Sequence, residues 1–120
     1  ELQFVCFLSF PVFLFLTHKT TTSTVMAIEL VEGQKHYTPA IDVYSFAVML
    51  WNIWTQKEPY AEDFVNTFAI FKFLGEGKRL AIPEDMPAPM RQATEQGWAH
   101  DPSKRPSFSD MVKLLETCTV

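Results

Sequence analysis

The chain is poor in the residues that build metal and disulfide frameworks. It holds two cysteines, Cys6 and Cys118, at opposite ends. They form no C-x-x-C pair and have no histidine close by, which excludes a zinc site or disulfide scaffold and points to a reducing, cytoplasmic setting. His18, His36 and His100 are scattered; surface or structural roles suit them better than metal ligation. Positive charge is also in deficit. Ten Lys and Arg face fourteen Asp and Glu, a net charge of −4, and no basic run exists, so a nucleic-acid partner is excluded. Only four glycines occur. The G-E-G at 75–77 is too short for a phosphate-cradling loop and follows a helical pattern rather than a strand. The longest apolar run, Phe4–Leu16, has thirteen residues without a charge. A membrane span needs about 20, which argues against a membrane role.

What is present reads as one ordinary globular domain. The 120 residues are 48% hydrophobic and 20% charged, with eleven Phe, enough to build a core. Residues 1–19 stand apart. Their apolar run has the length of a signal-peptide core, but no methionine starts it and no basic residue precedes it. It lacks a strand's alternation, and Pro11 interrupts any helix. It is either a buried core segment, a targeting segment, or a stretch foreign to the fold, as a misread gene would leave. A hydroxyl-rich loop follows, Thr17–Val25, in which Thr20, Thr21, Thr22, Ser23 and Thr24 can each accept a phosphate. A plain surface loop has the same composition.

From there the patterns are helical and no clear strand occurs, so the expected architecture is mainly α. Met26–Gly33 reads as a short turn of helix closed by glycine. The strongest helix begins at Thr38 and Pro39, cap and first-turn residues, and runs to about Thr55. It is apolar on nearly every side and should lie in the middle of the domain, covered all round. Asp42 in its first turns then needs donors, and anchoring a neighbouring loop's backbone is the preferred reading over an exposed position. Further helices are expected from about Phe64 to Leu74 and from about Pro89 to Ala99. Thr94 and Gly97 weaken the second of these. Ser107–Asp110 is a capping box opening a last helix to about Thr117, with Met111, Val112, Leu114 and Leu115 as its apolar face.

Three motifs in this order, "MAIEL", "DVYSFAVMLW" and "WAHDPSKRPSF", resemble the C-terminal half of a eukaryotic protein kinase domain, in the tyrosine-kinase-like branch. The resemblance runs from about Thr21 to Leu115 and implies a partial kinase domain, a C-lobe, over 20–118. It implies that Glu29, from the A-P-E motif, pairs with Arg105. It implies that Asp42 holds the backbone of the catalytic loop. Thr22 falls loosely on the threonine of G-T-x-x-Y-M-A-P-E, with Thr21 in place of the glycine and Val25 in place of the aromatic. The loop matching Thr20–Thr24 is often phosphorylated in the family. Arg105 precedes Pro106, which keeps it out of helical geometry. Its planar fork suits a carboxylate, and the helix start that follows wants no cation. A plain exposed surface arginine is the competing reading.

Phosphoryl transfer needs a lysine on the nucleotide phosphates, metal-binding acids and an aspartate to position the attacking hydroxyl. The family supplies them from a Gly-rich loop, V-A-I-K, H-R-D-x-x-x-x-N and D-F-G. None of these occurs in the 120 residues. No catalytic, cofactor-binding or metal-binding residue is therefore expected here; ATP and Mg²⁺ would belong to a longer parent. Ile28 in place of the A-P-E proline and Ala47 in place of the usual glycine are departures. Three readings follow: a fragment of a kinase acting on proteins, a pseudokinase remnant that binds a protein partner, or a small helical interaction domain. The register of the three motifs argues against the last.

Overall fold

A computed structural model describes residues 25–33, 38–64 and 66–119. The described residues form five α-helices and one 3₁₀ turn, with no strand among them. They are α1 (Ile28–Val31), α2 (Pro39–Thr55), α3 (Thr67–Gly75), α4 (Ala88–Gly97), the 3₁₀ turn Pro102–Lys104, and α5 (Phe108–Glu116). The architecture is mainly α, as the patterns predict. The apolar run Phe4–Leu16 and the hydroxyl-rich residues Thr20–Thr24 lie outside the described residues.

The helix boundaries follow local chemistry. Thr38 is extended and Pro39 occupies the first turn of α2, but the Thr38 side chain makes no capping hydrogen bond. Backbone shape, not the hydroxyl, starts this helix. It stops at Gln56, a non-glycine residue at φ 56°, whose N–H donates to the Asn52 carbonyl at 2.9 Å. α3 starts three residues later than its apolar pattern suggests. The Asn66 side chain accepts the Ala69 N–H at 2.9 Å and sets the first turn there. At α5, Ser107 Oγ accepts the Asp110 N–H at 3.2 Å. The reciprocal half of the capping box is replaced, because Ser107 Oγ donates to Asp110 Oδ2 at 2.9 Å.

α2 carries the core. Val43, Tyr44, Ala47, Val48, Leu50, Trp51 and Ile53 are buried. α4 crosses it closely at Gly97. A Cβ there would sit 2.7 Å from the Ala47 Cβ and 3.2 Å from Met111 Cε. The poor helix formers of α4 are thus its contact points. Thr94 is fully buried, its hydroxyl donating to the Met90 carbonyl at 2.9 Å. Trp51 Nε1 donates to the Ala81 carbonyl at 2.8 Å, joining α2 to the connector between α3 and α4.

Two expectations need correction. α2 is not covered all round: Ile41, Ser45, Phe46 and Met49 are only partly buried, because the described elements pack mainly against its other side. Val112 is 54% exposed and does not belong to the apolar face of α5. Met111 and Leu115, four apart, point inward, and Val112 lies about 100° further round the helix.

Candidate functional site

The chain's one buried ion pair among the described residues joins positions 76 apart. Glu29 lies in α1, a helix of four residues too short to be stable by itself. Arg105 lies just after the 3₁₀ turn, with φ −74° and ψ 138°, the extended geometry a following proline imposes. Their exposures are 6% and 7%. Arg105 Nη1 donates to Glu29 Oε1 at 2.5 Å and Nη2 donates to Glu29 Oε2 at 3.0 Å. This is the two-toothed carboxylate grip that only an arginine fork can make.

Two further donors of Arg105 are also used. Nη1 donates to the Ala40 carbonyl at 3.0 Å, and Nε to the Ala99 carbonyl at 2.8 Å. One guanidinium therefore ties α1, the first turn of α2 and the end of the α4 segment. Burial pushes the Glu29 carboxyl up, but hydrogen bonds from Arg105 and the backbone, and the Arg105 charge, outweigh it. The net result is a carboxyl held below its usual range. A second tether runs beside it: Ser45 Oγ donates to the Val25 carbonyl at 2.8 Å and fixes the chain just ahead of α1.

For Asp42, the described residues supply no backbone partner for the anchoring role. It is exposed and makes no hydrogen bond to another described residue. The catalytic-loop backbone that the kinase resemblance assigns to it is not part of this sequence, so its carboxylate faces outward from the first turn of α2. The geometry thus joins Glu29 and Arg105 and leaves Asp42 apart. Thr20, Thr21, Thr22, Ser23 and Thr24 fall outside the described residues.

Two contributors were not singled out from the sequence. The Tyr44 ring lies under the Arg105 guanidinium, 5.0 Å from centroid to carbon. The spacing of four between Ala40 and Tyr44 was the available signal, since it puts both on one helix face. Arg79 donates from Nε to the Trp98 carbonyl at 2.9 Å and from Nη1 to the Leu74 carbonyl at 3.2 Å. Nothing in the local pattern marked it. No group of three or more His, Cys, Asp or Glu among the described residues is placed to hold a metal ion. The arrangement fastens segments together and presents no nucleophile with a base.

Comparison with known proteins agrees with this geometry. The family of protein tyrosine and serine/threonine kinases matches residues 16–115. Among similar proteins of Dictyostelium discoideum is one named "Probable LIM domain-containing serine/threonine-protein kinase". It is 35% identical over 101 residues, covering 84% of this chain and 15% of the relative. "Probable serine/threonine-protein kinase drkC" is 41% identical over 81 residues, 67% of this chain and 10% of the relative. "Dual specificity protein kinase pyk3" is 41% identical over 81 residues, 68% of this chain and 6% of the relative. The chain thus spans at most 15% of the length of these relatives. The matched span holds every segment that Arg105 binds together: the chain belongs to the protein tyrosine and serine/threonine kinase family, and its described residues are helical elements of the C-lobe.

Proposed function

We propose that this chain is the C-terminal part of a domain that, when complete, transfers phosphate from ATP to Ser, Thr or Tyr hydroxyls of proteins, and that these 120 residues alone catalyse nothing. The two-toothed Glu29–Arg105 pair supports this reading most, because it joins the two kinase motif segments across 76 positions. The residues that handle nucleotide and metal have no counterpart in the sequence. ATP and Mg²⁺ are accordingly assigned to a longer protein, and Thr20–Thr24 to its phosphorylated loop. The proposed substrates are proteins and the proposed compartment is the cytoplasm. No helix of the described residues is long and apolar enough to cross a membrane.

The test is calorimetric titration of the 120-residue chain with ATP and Mg²⁺. The expected result is no binding; micromolar affinity would overturn the proposal. A second reading, a partner-binding module without catalysis, draws support from Ile28 in the proline position of A-P-E and from the open side of α2. The same titration on a chain extended upstream separates the two. Nucleotide binding by the extended chain favours the kinase, and its absence favours the binding module.

A further inference from the structure

Two arginines share one aromatic ring. The guanidinium carbon of Arg105 lies 5.0 Å from the Tyr44 ring centroid, and that of Arg79 lies 5.5 Å from it. Tyr44 is fully buried. Its hydroxyl bonds to neither arginine, so the ring face is what both cations meet. Their own bonds reach different parts of the molecule. Arg105 holds Glu29, Ala40 and Ala99. Arg79 holds carbonyls at the ends of α3 and α4, through Leu74 and Trp98.

Arg79 pairs with no carboxylate among the described residues. Its charge is met by the carbonyls of Trp98, Leu74 and Lys78 and by the Tyr44 ring. Two like charges around one ring repel, and the ring's quadrupole attracts each of them. A leucine, smaller than the ring, would carry no such quadrupole.

We propose that Tyr44 is a positioning residue that couples Arg79 to Arg105. Its ring seats the Arg105 fork on Glu29 while Arg79 pins the ring from the α3–α4 connector. The segment ahead of α2 and the connector after α3 then respond as one unit, although no hydrogen bond joins Arg79 to Arg105 or Glu29.

The test follows hydrogen exchange of the Arg105 Nε–H by NMR in the 120-residue chain. Rates are taken relative to the Leu50 amide within α2, which reports any general loss of stability. Tyr44→Phe should leave the rate unchanged, because the lost hydroxyl bonds to neither arginine. Tyr44→Leu should speed it about fivefold to tenfold, the scale of one lost cation–π contact. Arg79→Met should speed it as well. An unchanged or slower rate in Arg79→Met, or Tyr44→Phe acting like Tyr44→Leu, would overturn the proposal. If Tyr44→Leu fails to fold, Arg79→Met and Tyr44→Phe decide the question.

Discussion

On one side of α2, Val43 and Ala47 are buried where α4 crosses, and Trp51 is buried beneath the α3–α4 connector. On the other side, Ile41, Ser45, Phe46 and Met49 remain partly exposed, with Asp42 open to solvent beside them. Hydropathy along the helix hardly separates these sides. What separates them is the neighbour. The closed side has Gly97, which lets a helix approach, and Arg105, which holds α1 in place. Among the described residues, the open side meets the Val25 carbonyl, through Ser45, and the edge of the Phe108 ring, through Phe46. Apolar residues make a helix fit for burial, and specific polar and small residues decide which side is covered.

The largest break in this contrast should come from Glu29→Gln or Arg105→Met. Each strands a buried charge or a buried set of donors and should cost about 3–5 kcal/mol by denaturant unfolding. Acid should weaken the same junction. The Glu29 carboxyl is held below its ordinary range, so its contribution is complete above the unfolded value and is lost as pH falls through the folded one. In unfolding measured against pH, Glu29→Gln should flatten that acid-side loss.

A smaller break should come from Gly97→Ala. The added methyl would meet the Ala47 Cβ at 2.7 Å, and overpacking of this kind costs about 1–3 kcal/mol. Ala47→Gly in the same chain should recover part of that loss, although each change alone destabilises. Smaller again is Ser107→Ala, which removes the acceptor of the Asp110 N–H. Losing an N-cap costs roughly 1 kcal/mol, readable as a lower thermal midpoint. Smallest is Asp42→Ala on the open side, which should change stability by less than about 0.5 kcal/mol.

Much of the closed side was legible from the residues. Thr38, Pro39 and the apolar run after them placed α2, Ser107 placed the start of α5, and the pre-proline Arg105 declared itself as a long-range tie. The open side was not legible, because burial depends on which neighbours exist and no local pattern in α2 shows that. Asp42 illustrates this: a first-turn aspartate reads the same whether a loop covers it or not. The apolar run begins before Asn66, so no local pattern marks that residue as the cap. The Tyr44–Arg79 contact joins positions 35 apart by shape alone, and no spacing rule reaches it.

The central claim is that one buried arginine fork fastens the Glu29 segment to the helical body. A double-mutant cycle on Glu29→Gln and Arg105→Met, read by denaturant unfolding, tests it most directly. The account predicts strong coupling, with the double variant losing far less than the sum of the single losses. Additive single effects would contradict it and leave Arg105 without the partner the structure gives it.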